Sequence, residues 1–528
     1  MAKVKPKAKI IIAGPGAGKT HNMVASIISA LPELSPCRYL AVITYTNSAT
    51  NNILTRLAKK ITIPDNLFIG TMHSFLNRFL VIPYASFISE PVKQEKLFMQ
   101  CGLDDVFSHV EKMKAKDKKK KTPQEVAVAK AAIRKRLNKL GYITFDQTLS
   151  IAGACMLNPG ISSVVANRLQ FLFVDEFQDS GNQVYHIVET IRKQGKTKIY
   201  CVGDPEQYIQ SFDSTIRNFA YIPILKASVS TGYDVEINNG NYRSTESIVS
   251  FLNNFNGRTF GKEKFGQVPK SKDSDNKISP IKGELVCFIT KHGTVKPMID
   301  DFYTLCKNLS IQEGDRCIIA KRKEVIQRIV AAVNNKYKDP KKTTSVLPIK
   351  AIQDSLLTTL QMNVSEFCEF YKTDTNTLRK YAIAIFKAIR DGVITNENTF
   401  ALFVTDKLRL TIKAGLPVKI DNLKFDILHE GIEEVVTVST IHTIKGLEAP
   451  AVLAIAKTEE ELLLWLETDH VKRDAKRTNE TTDYPRLGYV AFSRAEKLLC
   501  ISCLSKVSDE TLQKMVRLGV DLYNVGVN

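Results

Sequence analysis

The chain has 528 residues, 44% hydrophobic and 24% charged, which gives enough apolar material for roughly two to four cored domains and excludes a disordered or fibrous protein. No apolar run approaches the length of a membrane span and the Lys-rich start has no apolar leader, so no membrane association and a cytoplasmic location are expected. The net charge of +19 fits a polyanionic partner, or equally a generally basic protein, and excludes nothing alone.

In chain order, the β-branched run 10–12 predicts a strand that enters the turn Ala13-Gly14-Pro15-Gly16-Ala17-Gly18-Lys19-Thr20. An amphipathic helix follows, with Met23, Val24, Ile27, Ile28 and Leu31 at helical spacing. Strand, Gly-rich loop and helix are what a phosphate cradle needs. The glycines let backbone N–H groups converge on one anion, and the helix N-terminus adds its positive dipole end. Lys19 would reach the β/γ-phosphates of a nucleotide and Thr20 would hold Mg²⁺.

A second strand, 39–43, ends in Thr44-Tyr45-Thr46-Asn47, and a third, 68–70, ends in Thr71-Met72-His73-Ser74-Phe75. Ligands bind beyond the carboxyl ends of strands in open α/β sheets. Tyr45, His73 and Phe75 are therefore either caps on a core or a platform for stacking bases. Residues 76–143 read as mostly helical with no sheet pattern. The Lys-rich run 112–121 there is either a solvated, flexible face or a contact for phosphates.

Phe171-Leu172-Phe173-Val174-Asp175-Glu176 predicts a buried strand with two carboxylates at its end. Asp175 would bind Mg²⁺, and Glu176 would orient and deprotonate the attacking water. Strand 200–202 leads to Asp204-Pro205 and then Gln207, whose amide would report the γ-phosphate; Phe212 follows. A second half begins near 218 and carries Asn241-Tyr242-Arg243-Ser244, strand 316–320, a mainly helical insert, Thr440-Ile441-His442-Thr443-Ile444-Lys445-Gly446-Leu447-Glu448 and Val490-Ala491-Phe492-Ser493-Arg494-Ala495. The 10 cysteines are scattered; Cys500-x-x-Cys503 lies in the apolar run 498–504 and reads as reduced core rather than a metal or redox pair.

These stretches, in this order, resemble the motifs of superfamily 1 DNA helicases of the UvrD/Rep/PcrA type. The resemblance implies an α/β fold of two RecA-like parallel-sheet domains, a P-loop NTPase with small, mainly helical insertions in each. The first domain is expected at 1–75 and 144–216 with its insertion at 76–143. The second is expected at 217–345 and 423–528 with a reduced insertion at 346–422. The resemblance further implies ATP and Mg²⁺ as cofactors and 3'-5' translocation on single-stranded DNA. Tyr242 would stack on adenine, Glu448 would touch the ribose, and Arg243 and Arg494 would reach the γ-phosphate when the cleft closes. Tyr45, Thr71, His73, Phe212 and His442 would line the DNA path, with Phe212 in the place of a base-stacking Trp.

The chain departs from the family's pattern in three ways. It starts only a few residues before the first strand, so the glutamine segment that helps recognise adenine has no counterpart and Tyr242 would carry more of that specificity. The inserts are short, so strand separation would be weak or need a partner. Ala449 stands where an aromatic is common. Compact members of the family include the helicase-like subunit of Gabija anti-phage systems, which pairs with an OLD-family (TOPRIM) nuclease. The small inserts and the stretch 70–83 resemble that subgroup. Either a translocating helicase in defence or repair, or a DNA-dependent ATPase that activates a nuclease subunit, is consistent with these features. No nuclease centre of its own is expected, since no cluster of carboxylates with a Lys follows the last motif.

Overall fold

A computed structural model describes residues 8–88, 99–101, 103–113, 122–140, 142–210, 218–272, 278–279, 285–340, 348–412, 435–475 and 484–523. The Lys-rich run beyond 113, Phe212, and residues 413–434 lie outside these.

Two six-stranded sheets organise the chain. The first holds β1 (Ala8–Ala13), β2 (Tyr39–Thr44), β3 (Leu67–Thr71), β4 (Leu169–Val174), β5 (Lys198–Gly203) and β6 (Tyr233–Asn238), in the order β3-β2-β4-β5-β1-β6. The second holds β7 (Val286–Ile289), β8 (Arg316–Ala320), β9 (Thr437–Thr440), β10 (Ala449–Ala456), β11 (Ala495–Cys503) and β12 (Asp521–Tyr523), in the order β9-β8-β10-β11-β7-β12. Counted from its own first strand, the second sheet repeats the order of the first. Every pairing in both is parallel. This is the two-sheet α/β architecture that the motif order implied.

Parallel strands covered on both faces read as unbroken apolar runs, because successive side chains enter opposite cores. In β2, Ala41 and Ile43 enter one cluster with Ile10, Ile12, Leu172 and Val174. Leu40 and Val42 enter the other with Phe171 and Phe173. In β10, Val452 and Ala454 face one cluster while Leu453 and Ile455 face the other. Helix α1 (Lys19–Ala30) buries Met23, Val24, Ile27 and Ala30, and Ile28 and Leu31 of the predicted stripe pack half-buried against the same cluster. Helix α2 (Asn47–Ala58) starts at Thr46, whose hydroxyl accepts the Ala49 N–H. Cys500 and Cys503 are buried on β11, and Cys287 Sγ faces Cys500 Sγ at 3.3 Å, so the C-x-x-C is core.

The structure departs from the sequence reading in three places. Strand β6 belongs to the first sheet, pairing with all of β1, although it lies past the expected boundary at 216/217. It is an edge strand with exposed Asp234 and Glu236, so it lacks the apolar run of its neighbours. Lys9 pairs with Glu236 across this edge. Secondly, the first insertion includes a parallel ladder, Met99–Cys101 against Tyr142–Thr144, too short to show alternation. Thirdly, the second insertion leaves the chain between β8 and β9 but packs on the other sheet. Its helices Pro348–Leu360, Val364–Phe370, Thr375–Arg390 and Glu397–Leu402 share one hydrophobic cluster with α1 and α2, through Ile352, Leu356, Phe367 and Ala382 among others. Asp374 pairs with Arg78 at 2.6 Å, and Lys380 pairs with Asp65.

Among the described residues no single helix is long and apolar enough to cross a membrane. Helices Gln147–Leu157 and Pro159–Arg168 pass such a test only together; they are bent by 101° and bury Ile151, Cys155, Ile161 and Val165 in the first-sheet core.

The shared cluster predicts that Leu356→Ala, at a wholly buried position, costs about 2–5 kcal/mol. The loss is expected to lower hydrogen-exchange protection in α2 as well as in the insertion, read peptide by peptide. Unchanged protection of α2 would contradict the shared core.

Candidate nucleotide and nucleic-acid site

The glycine-rich turn joins the carboxyl end of β1 to α1. Gly16 and Gly18 have φ of +68° and +70°, the left-handed region that costs a side-chain-bearing residue energy. At Gly16 space is also exhausted. A Cβ there would lie 2.4 Å from Asn241 Oδ1 and 2.7 Å from Arg243 Cβ. The second half of the chain thus rests directly on the loop: Tyr242 N–H donates to Gly16 O at 2.8 Å, and Gln267 Nε2 donates to Pro15 O at 2.8 Å. Lys19 lies inside the cradle, its Nζ 3.3 Å from both Ala13 O and Gly14 O. Thr20 follows in the first turn of α1.

Strands β4 and β5 carry the acids. Asp175 is buried at the end of β4, and its Oδ1 accepts the Glu176 N–H at 3.0 Å. Glu176 has φ +48°, a strained backbone for a non-glycine residue that concentrates at functional sites. Gln178 Nε2 donates to Glu176 Oε2 at 2.5 Å, and Gln178 Oε1 accepts the Asp204 N–H at 3.1 Å. Burial, reinforced by Glu176, pushes Asp175 up to about 7. Burial likewise raises Asp204 to about 6 against the pull of Lys19. Burial acts in the same sense on Glu176, but Lys19, Lys445 and the Gln178 amide outweigh it and hold that carboxyl below its usual value. The two adjacent acids therefore differ: Glu176 is held as the ion, whereas burial and the neighbouring carboxylate push Asp175 toward its neutral form. Thr20 Oγ1 and Asp175 are hard oxygen donors of the kind Mg²⁺ selects, so this donor set fits that ion.

Gln207 lies on the turn Pro205–Gln207. Its Nε2 donates to Asp204 Oδ2 at 2.9 Å, and its Oε1 accepts Arg494 Nη2 at 3.3 Å. Arg494 is buried, and its Nε and Nη1 donate to Val490 O (2.9 Å) and Leu447 O (3.3 Å). Burial, then the neighbouring Arg243, lowers its guanidinium to about 9. Arg243 Nε sits 2.5 Å from Glu448 Oε2, and its Nη1 donates to Ser493 O at 3.1 Å. Arg243, Glu448 and Arg494 thus share one wall. Tyr242 is half-exposed beside the loop.

Two contributors escaped the sequence reading. Lys445 was inside a quoted motif without a role, yet its Nζ donates to Asp179 Oδ2 at 2.5 Å and to Gln207 O at 2.8 Å. Gln267 lies in a stretch without motif character, and only its contact with the loop reveals it.

Of the residues expected on a DNA path, His73 and His442 lie at matching places in the two sheets. Thr71 ends β3 and its hydroxyl accepts the Ser74 N–H; Thr440 ends β9, the equivalent strand, and accepts the Thr443 N–H. His73 and His442 each occupy the second position of the short helix so capped. The His73 ring meets Phe145 edge-on at 5.8 Å. Tyr45 is exposed after β2, and its hydroxyl accepts Gln210 Nε2 at 2.6 Å. Phe212 is outside the described residues.

Residues 1–213 match the AAA domain family, and residues 418–506 match the UvrD-like helicase C-terminal domain family. The chain belongs to the UvrD-like DNA helicases. These are enzymes that hydrolyse ATP. Gabija protein GajB of Bacillus cereus (strain VD045) is 23% identical to this UvrD-like helicase over 96% of each chain. A probable DNA helicase II homolog of Mycoplasma genitalium is 22% identical over 96% of this chain and 84% of its own length. ATP-dependent DNA helicase PcrA of Staphylococcus aureus is 25% identical over 46% of this chain and 37% of its own.

In this UvrD-like helicase, Gly16→Ala is expected to weaken nucleotide binding at least about tenfold, since the Cβ meets Asn241 and demands a strained φ. Titration with a fluorescent ATP analogue measures this, and wild-type affinity would contradict the close contact between loop and second half.

Proposed function

We propose that the chain couples ATP hydrolysis to 3'-5' movement along single-stranded DNA, and that the residues gathered above do so in the following roles. Lys19 and the backbone N–H groups of 14–18 hold the β/γ-phosphates, with Arg243 and Arg494 facing them from the second half. Thr20 and Asp175 hold Mg²⁺, which supplies charge neutralisation at phosphate oxygens when bound. Glu176, kept ionised, takes the proton of the attacking water. Tyr242 stacks on adenine and Glu448, released from Arg243, meets the ribose. Tyr45, Thr71, His73, Phe212 and His442 contact the strand by stacking and polar contacts that do not depend on base identity. A cytoplasmic setting accords with this work.

One observation carries the reading. The Gln207 amide is held at one end by Asp204 of the first sheet and at the other by Arg494 of the second. A change at the γ-phosphate therefore reaches both sheets through one side chain.

A second reading is favoured by the relative named Gabija protein GajB, which matches over nearly the whole of both chains. Here the chain serves anti-phage defence as a DNA-dependent ATPase that activates an OLD-family nuclease subunit and unwinds little by itself. Unwinding of a tailed duplex by the purified chain separates the two: robust strand separation without a partner contradicts the second reading.

Steady-state ATP hydrolysis with and without single-stranded DNA tests the common core of both. Strong stimulation is expected in the wild type. Lys19→Ala and Glu176→Gln are each expected to lose at least about a hundredfold in kcat, the first with weakened nucleotide binding and the second without. Normal turnover by Glu176→Gln would remove it as the base.

A further inference from the structure

Beside Gln207, on the same turn, lies a carboxylate without a role in the chemistry above. Glu206 is 2% exposed. Three guanidinium groups surround it: Arg473 Nη2 at 2.6 Å, Arg258 Nε at 2.5 Å and Arg486 Nε at 3.8 Å. Asp474 completes the cage. It accepts Arg258 Nη1 at 2.8 Å and pairs with Arg486 as well. The Arg486 guanidinium also lies on the Phe219 ring, 3.2 Å from its centroid.

The cage is divided between the two halves. Glu206 leaves the first sheet just after β5, whereas Arg258, Arg473, Asp474 and Arg486 all belong to the second half. Arg486 is on helix Tyr484–Phe492, and two residues after that helix stands Arg494. The turn and the helix are therefore joined twice. Glu206 meets Arg486 near the start of the helix, and Gln207 meets Arg494 just past its end. Two attachments along one rod fix its direction as well as its position. A single Gln207–Arg494 contact would fix only one point. A buried carboxylate with three cations is costly to separate, since each group would be left charged and unpaired in low dielectric.

We propose that Glu206 is a positioning residue: its arginine cage locks the turn 205–207 to helix Tyr484–Phe492, so that DNA-induced movement of the turn delivers Arg494 to the nucleotide. The inference rests on the proposed role of Gln207 and Arg494. It assigns Glu206 to coupling between DNA and hydrolysis, not to nucleotide binding or chemistry.

The test is ATP hydrolysis by the full chain, with a deoxythymidine oligonucleotide titrated in, for wild type, Glu206→Gln, Glu206→Asp and Arg258→Lys. Circular dichroism and thermal melting accompany each. Glu206→Gln is expected to lower the DNA-stimulated kcat at least about tenfold, with the DNA-free rate and the KM for ATP within about threefold of wild type. Glu206→Asp, which keeps the charge, is expected to recover part of the stimulation. If Glu206→Gln does not fold, Arg258→Lys decides. It keeps the charge at the rim of the cage but loses the forked contact with Asp474, and a fall in stimulation of about threefold is expected. Full stimulation in a folded Glu206→Gln, or in Arg258→Lys where the former fails to fold, overturns the proposal. An equal loss of DNA-free and DNA-stimulated rates also overturns it, because Glu206 would then serve the nucleotide site itself. A wild type that DNA does not stimulate contradicts the proposed function instead, and the inference falls with it.

Discussion

Five carboxylates are gathered within a short distance of one another along the chain at the ends of β4 and β5, and the need to neutralise them shapes the rest of the molecule. Asp175, Asp179, Asp204 and Glu206 are buried and Glu176 nearly so. The first sheet supplies one cation, Lys19, whose field acts on Asp175, Glu176 and Asp204 together. The remaining partners come from the other half of the chain. Lys445 reaches Asp179, the three arginines reach Glu206, and Arg494 adds its field at Glu176. An acidic rim on one sheet and a basic rim on the other hold the cleft together, and the low dielectric between them makes each pairing consequential.

The polarity of the first sheet places the acidic rim. All strands within a sheet run the same way, so the loops that follow them share one edge. The first sheet places there the phosphate turn after β1, the acids after β4 and the turn bearing Gln207 after β5. In the second sheet the equivalent edge carries His442 after β9, whereas Glu448 and Arg494 immediately precede β10 and β11 and stand at the opposite, amino-terminal ends of those strands. The parallel between Thr71 and Thr440, each capping a short helix with a histidine in second place, follows from that repeated order. The second insertion cuts across this symmetry, because it belongs to one sheet by sequence and to the other by packing.

The sequence made most of the residues that line the candidate site legible, for a physical reason. A phosphate cradle needs glycines, a lysine and a helix in one short stretch, and an acid pair needs a buried strand in front of it; both are local patterns. What was not legible is what depends on distant partners. Glu206 sits in a quoted motif, but nothing nearby shows that Arg258, Arg473 and Arg486 surround it. Gln267 comes to the loop only through the fold. Strand β6 was not recognised, and its residues fell beyond the expected boundary at 216/217, because an edge strand with charged, exposed residues lacks the signal that buried strands give. The insertion's helices were visible, but amphipathic periodicity says only that a face is covered, not by which sheet.

The central claim is that the turn 204–207 and helix Tyr484–Phe492 act as one body across the cleft. Hydrogen exchange of the full chain, followed while a non-hydrolysable ATP analogue is titrated in with single-stranded DNA present, tests it directly. The account predicts that peptides covering both segments change protection together, with the same midpoint in nucleotide concentration. Protection of the turn at concentrations that leave the helix unchanged would contradict it.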